Sequence, residues 1–442
     1  MTSVAHSPGT KRTHVRYEIV LFLFLLTAVN YADRATLSIV GTDVTKALNL
    51  DAVAMGHVFA AFSWAYVICQ IPGGWLLDRF GSKTIYAWSI GLWSVFTLMQ
   101  GFVGGLSGTT AVVTLFTLRF LLGAAESPSF PANSRIVAAW FPTAERGTAS
   151  AIFNSAQYAA TVIFMPIMGW ITHQYGWQAV FWFMGALGLI FVLVLFRVVH
   201  NPREHPRANA AEVEHIASGG GLVDMDKVGK KSAVGGWPVL RQLLTNRMLL
   251  GIYLGQYAIT TLTWFFLTWF PIYLVKQRGM TILQVGFVAA LPALCGLVGG
   301  IGGGVFSDWL LRRGYSLTIA RKTPIIVGLI LSVSMMACNY VDSQTAVIVV
   351  MSLAYFGKGV AALGWSVIAD ASPKQITGLS GALFNTFGNL AGIITPIAIG
   401  YILQTTGSFN GALIFVSAHA VLALFSYIFI VGEIKRVELR PV

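Results

Sequence analysis

Twelve stretches of this chain are apolar enough and long enough to cross a lipid bilayer, and that pattern constrains the fold more than any single motif. They run at about residues 17–41, 54–77, 84–104, 109–139, 147–171 and 177–199. After a polar interval they resume at about 247–275, 283–311, 321–340, 343–370, 377–404 and 408–432. A hydrocarbon core about 30 Å thick takes roughly 20 helical residues, and only helices or closed barrels satisfy their own backbone there. The pattern predicts an all-α integral membrane protein of twelve transmembrane helices. The composition points the same way, with 10% charged residues against about 25% in soluble domains.

The polar interval, His200 to Pro238, is rich in charge, Gly and Pro and reads as a linker, in which "AAEVEHIA" reads as a short surface helix. It divides the chain into a six-helix unit at 1–199, a cytoplasmic linker at 200–246 and a second six-helix unit at 247–442. Lys and Arg gather on one side. The segments that would lie inside hold Arg12, Arg79, Lys83, Arg135, Arg312, Arg321 and Lys435, among others, and the outer loops hold Lys46, Lys276 and Arg278. The positive-inside rule then puts both termini in the cytoplasm. The first apolar run is too long for the core of a signal peptide and reads as an uncleaved helix.

The same bias accounts for the net charge of +12. No basic run is interleaved with aromatic residues in a polar segment, so nucleic-acid binding is not expected. Cys69, Cys295 and Cys338 lie scattered in apolar stretches and suggest neither a disulfide framework nor a metal site. There is no nucleophile elbow, phosphate loop or metal-ligand cluster. An enzyme is not expected, nor a cofactor.

The two halves repeat. "GGWLLDRFGSK" follows the second span and "GGGVFSDWLLRRG" the eighth; Gly74 and Asp78 in the first match Gly304 and Asp308, 230 positions on. In a second pair of stretches Pro142, Gly147, Phe153 and Asn154 match Pro373, Gly378, Phe384 and Asn385, 231 positions on. The chain is a duplicated six-helix unit, the construction of many secondary transporters. An acid at Asp78 can meet a helix N-terminus while Arg79 and Lys83 meet acids on neighbouring helix ends. Such a latch, with Gly74, Gly81 and Asp308, can stabilise one closed state.

Few ionisable groups fall within the spans: Asp33 and Arg34 in the first, Arg119 and Glu126 in the fourth, Lys358 in the tenth. A charge at the bilayer centre costs roughly 2.5–3.5 kcal/mol on insertion scales. Arg119 and Glu126, seven residues apart, share a helix face about 10 Å apart along the axis. That face is expected to look at Asp33 and Arg34 or at a water-filled cavity. Arg suits a carboxylate ligand, and a desolvated acid can carry a proton. At the 231-residue offset Glu126 maps to Gly357, beside Lys358, so the second half places a cation where the first has an acid. Among other polar and aromatic residues, Tyr31, Tyr66, Gln157, Trp365 and Asn385 suit a polyhydroxylated ligand.

With these residues assembled, "NYADRATLSIVG", "FSWAYVICQIPGGWLLDRFGSK", "IFNSAQYAATVIFMPIMGW", "GLSGALFN" and "TTGSFNGALI" resemble the anion:cation symporter family of the major facilitator superfamily, over nearly the full length. Within it the chain is most similar to bacterial proton-coupled transporters of glucarate and galactarate. The resemblance implies two pseudo-symmetric six-helix bundles in a bacterial inner membrane, importing a sugar diacid by alternating access with the proton as coupling ion. Asp33 and Glu126 fall where the family's proton-coupling acids lie. Arg34 and Arg119 match its basic substrate-site residues, and Tyr31, Tyr66, Gln157, Trp365 and Asn385 its substrate contacts. Lys358 is no part of that general pattern; here it is expected to meet the second carboxylate of a diacid. A monoacid hexonate or hexuronate, or sodium coupling, is the alternative. One pair of halves suffices, so a monomer is expected.

Overall fold

The computed structural model describes residues 12–142, 145–224, 237–373 and 377–439, apart from the side chains of Asp78, Gly147, Ala151, Thr377 and Gly378. Six long helices form the first half: α1 (Val15–Ile39), α2 (Ala52–Phe80), α3 (Ser82–Gln100), α4 (Gly108–Trp140), α5 (Arg146–Tyr175) and α6 (Trp177–Val198). The second half repeats them as α7 (Arg247–Lys276), α8 (Ile282–Arg312), α9 (Leu317–Tyr340), α10 (Gln344–Ala371), α11 (Thr377–Thr406) and α12 (Asn410–Ile430). Eleven are long and apolar enough to cross a membrane. The other, α3, is less apolar because Ser89, Ser94, Thr97 and Gln100 face inward and are buried.

Side chains close the helix ends where lipid cannot. Asp51 caps α2 by accepting from the Ala54 amide at 2.7 Å, and Thr281 forms a capping box with Gln284 ahead of α8, each cap worth about 1 kcal/mol. Gly81 and Gly176 end α2 and α5 at φ 84° and 85°, a region that only glycine enters cheaply. The Gly-rich stretch of α8 packs on α10: a Cβ at Gly299 or Gly303 would lie 2.2 or 2.4 Å from the Phe356 or Val360 carbonyl.

Two helices break at corresponding depths. The helix Gly108–Glu126 stops at Ser127–Pro128 and resumes as Ser129–Trp140, because proline lacks the N–H and its ring clashes with the preceding turn. The helix Gln344–Val360 stops and resumes as Gly364–Ala371. Glu126 and Lys358 therefore both sit in the last turn before a break. In α7 the backbone widens into a π-turn at Phe265–Trp269, 231 positions after Arg34–Ser38. There Ser38 Oγ donates to the Thr268 carbonyl at 2.7 Å, joining the halves.

The halves meet at the end away from the chain termini. A Cβ on Gly56 of α2 would lie 2.6 Å from the Pro396 carbonyl of α11, and one on Gly400 of α11 would lie 2.6 Å from the Ala52 carbonyl of α2. On the other side of the interface Gly169 of α5 meets Gly286 of α8, where added Cβ atoms would lie 3.1 to 3.2 Å from the facing Cα. These four glycines are repeat mates, with Gly286 230 positions after Gly56 and Gly400 231 after Gly169. Ring contacts continue the seam toward mid-depth through Phe59–Trp269, Phe62–Trp264 and Tyr158–Tyr355. No described ion pair joins the halves at the terminal end.

The described part of the linker docks on the first half. Glu212, fully buried in the helix Ala210–Ser218, accepts from Thr13 Oγ1 at 2.6 Å, from the Val15 and Arg16 amides at 3.1 and 3.2 Å and from Arg16 Nη1 at 3.3 Å. It thereby caps α1. Arg146 donates to the Ala138 and Gly220 carbonyls, and Trp140 Nε1 to the His200 carbonyl. Residues 200–224 thus pack against the first half rather than lying loose on its surface; residues 225–236 lie outside the described set.

Candidate functional site

The first half gathers its four intramembrane charges around the middle of α1. Arg34 Nε donates to both Glu126 oxygens, at 3.1 and 3.2 Å. Asp33, the preceding residue, points to α3, where Thr97 Oγ1 donates to its Oδ2 at 2.6 Å. Arg119 lies between them and donates a long bond, 3.4 Å, to the Arg34 carbonyl. All four are buried. The set thus holds one direct ion pair, Arg34–Glu126, rather than two; Asp33 and Arg119 have no ion-pair partner within 4.0 Å among the described residues.

The break in α4 explains the pairing. An acid at the C-terminal end of a helix faces the negative end of its dipole, so Glu126 at the end of Gly108–Glu126 gains most from an adjacent cation. Lys358, in the last turn of Gln344–Val360, has the favourable sign there. Several buried polar atoms of the cluster have no described partner: Arg34 Nη2, Arg119 Nε, Asp33 Oδ1 and both amide atoms of Asn30. Buried donors and acceptors are nearly always paired. These are the groups through which the cluster can take a ligand or a proton.

An aromatic wall covers Arg34. Its guanidinium carbon lies 4.8, 4.9 and 5.0 Å from the ring centres of Tyr31, Phe62 and Tyr66. Desolvated contacts of this kind are worth about 2 kcal/mol. A cleft lies between the halves, lined by Tyr31, Gln157 and Thr161 of the first and Phe266, Phe270 and Tyr355 of the second. Tyr31 and Gln157 therefore line this cleft, whereas Tyr66 is buried against Arg34. Trp365 is 54% exposed and packs edge-on against Phe384 beside the half-buried Asn385, nearer the terminal end.

Lys358 is 5% exposed and has no hydrogen bond or ion pair among the described residues. Its ammonium sits 5.5 Å from the ring of Tyr158 of the first half and 5.2 Å from that of Tyr355 of the second. Tyr158 and Thr97 were not singled out by the sequence. A tyrosine or threonine in an apolar run carries no signal of what it faces, so only the packing identifies them.

At the terminal end, Lys83 Nζ donates to the Phe196 carbonyl at 2.9 Å, Arg79 lies over Trp75 and Phe80, and a Cβ on Gly74 would meet nothing within 4 Å. The Asp78 side chain lies outside the described residues. In the second half Arg321 joins Asp370 at 2.9 Å and Asp308 at 3.8 Å. These contacts tie helices within one half.

A family model described as the Major Facilitator Superfamily matches residues 23–396. The "Probable galactarate/D-glucarate transporter GudP" of Escherichia coli (strain K12) is 61% identical over 443 residues, covering 100% of this chain and 98% of that one. The "Probable galactarate/D-glucarate transporter GarP" of the same strain is 55% identical over 433 residues, covering 97% and 98%. Among solved structures, the inward-open xylose transporter XylE from E. coli matches with a TM-score of 0.70 at 14% identity, covering 94% of this chain and 96% of that one, a likeness of fold. Twelve helices in two repeated halves, buried charges gathered around the middle of α1, and these full-length matches lead to one conclusion: the chain belongs to the Major Facilitator Superfamily and is a multi-pass membrane transporter.

Proposed function

We propose that this transporter imports a sugar diacid, glucarate or galactarate, together with protons, across a bacterial inner membrane with both chain termini in the cytoplasm. The observation that carries the reading is the split of charge between the halves. Arg34 has an Nη2 without a described partner in the first half, and the second half presents Lys358, buried and without an anion among the described residues. A dicarboxylate has the two charges to meet both. The names of the 61% and 55% identical relatives support the same substrate class.

Asp33 and Glu126 are the protonation sites. Protonation of Glu126 frees Arg34, which with Arg119 takes one carboxylate of the substrate in charge-assisted bonds. Lys358 leaves its tyrosine rings for the other. Tyr31, Tyr66, Gln157, Trp365 and Asn385 serve the hydroxyls and the sugar-acid chain. With both ends neutralised the far end closes along the glycine seam, and the acids release their protons toward the terminal end. Gly74, Asp78, Arg79, Gly81, Lys83 and Asp308 form the latch that holds the opposite state. No cofactor is needed, and one chain suffices.

Competition tests the substrate class. Uptake of labelled glucarate into proteoliposomes is expected to be blocked by galactarate and spared by galactonate, glucuronate and sulfate. Block by galactonate at the same concentration as by galactarate would replace the diacid with a broader organic-anion substrate.

A further inference from the structure

We infer that Thr97 of α3 is the positioning residue of the proton step, holding Asp33 through a hydroxyl that can serve both the ionised and the protonated carboxyl. This rests on Asp33 acting as a coupling acid.

Buried threonines elsewhere in the spans donate to the carbonyl four residues back: Thr27, Thr36, Thr172, Thr261 and Thr268 do so, to Leu23, Ala32, Met168, Tyr257 and Trp264. Thr97 does not. Its one described hydrogen bond is the 2.6 Å contact with Asp33 Oδ2, and its side chain is 1% exposed. The carboxylate has no other described partner; Oδ1 is bare. The charged groups that face Asp33 are Arg34 on its own helix and Arg119 and Glu126 from α4. None lies within ion-pair distance. Among the described residues no charged group on α3, α5 or α6 acts on Asp33.

A guanidinium is a donor only, so bonding to one would fix Asp33 as the anion. A hydroxyl both donates and accepts. When Asp33 is ionised, Thr97 donates to Oδ2. When the proton arrives, Thr97 can turn, accept from the acid and donate to the Trp93 carbonyl, as its neighbours do one turn back. Neither state leaves a buried donor unmatched, which a buried site strongly requires. The contact therefore keeps Asp33 titratable in a dry setting, with the proton carried on Oδ2, the oxygen that faces Thr97. The duplicated half has no counterpart, since 97 maps to Val327 or Gly328, matching its lack of an acid at the corresponding position.

The test uses purified full-length protein in lipid. The infrared band of the protonated Asp33 carboxyl is identified by its loss in Asp33→Asn and titrated. Thr97→Val keeps the shape and removes the hydroxyl; the band is expected to half-develop about one pH unit higher, the effect of losing one bond to a charged group. Thr97→Ser is expected to restore the wild-type midpoint, and Thr97→Ala serves if the valine variant does not fold. Gradient-driven glucarate uptake is expected to move along pH by the same amount. An unmoved band in Thr97→Val, or a serine variant shifted like the valine one, overturns the inference. A shifted band with unshifted uptake would instead overturn the coupling role of Asp33.

Discussion

Arg34 meets Glu126 through Nε alone, 3.1 and 3.2 Å from the two carboxylate oxygens, and its Nη2 has no described partner. The guanidinium is half committed to an internal acid and half free. Breaking a buried pair by removing one partner costs about 3–5 kcal/mol, so a substrate carboxylate competes well only once Glu126 is neutral. Glu126→Gln is expected to bind glucarate with an affinity nearly constant from pH 6 to 8, while the wild type weakens as pH rises. Calorimetric titrations across pH check this. Arg34→Ala is expected to weaken binding by more than a hundredfold at every pH.

Lys358 bears on selectivity. Its ammonium is held by two rings and by no anion among the described residues, so removing the charge leaves the fold intact. Lys358→Met is expected to lower glucarate uptake more than tenfold and to leave the uptake of any transported monoacid within about twofold. Competition between labelled di- and monoacids measures the ratio. An equal loss for both would assign Lys358 to packing.

Gly56 and Gly400 allow α2 and α11 to touch at the far end. A leucine at 56 would place Cβ 2.6 Å from the Pro396 carbonyl, backbone that cannot yield as a side chain can. Gly56→Leu is expected to keep glucarate binding and lose more than tenfold in transport. A cysteine placed at Ser38, buried in the seam, should then become alkylated, with Cys69, Cys295 and Cys338 replaced beforehand.

Glu212 ties the linker helix to the start of α1 through four bonds. Glu212→Ala leaves the Val15 and Arg16 amides without this acceptor and Arg16 with Glu145 alone as an ionic partner. Faster tryptic cleavage within 200–224 is expected, with a fall in melting temperature of a few degrees.

Much of the fold was legible because lipid imposes one rule: a span must be apolar, helical and about 20 residues long. Eleven spans obey it in composition. The least apolar, α3, was legible too, although its polar residues turn inward to Asp33 and Asn133. The five intramembrane charges were legible from their cost. Their pairing was not. The spacing of Arg119 and Glu126 gives a shared face, but Ser127–Pro128 ends the helix there, and only the tertiary contact decides that Arg34 takes Glu126 while Asp33 takes Thr97. The docking of the linker was hidden because Glu212 reads as a surface acid until the start of α1 is placed against it. The π-turn of α7 left no sign in "FFLTW"; only the fold shows it, where the Thr268 carbonyl accepts from Ser38 of α1.

The central claim is proton-coupled import of a diacid through this cluster. Its most direct measurement is uptake of labelled glucarate into proteoliposomes of the purified protein, with and without an inward proton gradient, at equal sodium on both sides. The account predicts accumulation above equilibrium with the gradient and loss of that accumulation in Asp33→Asn. Glucarate uptake that ignores the proton gradient, or that follows sodium instead, would contradict it.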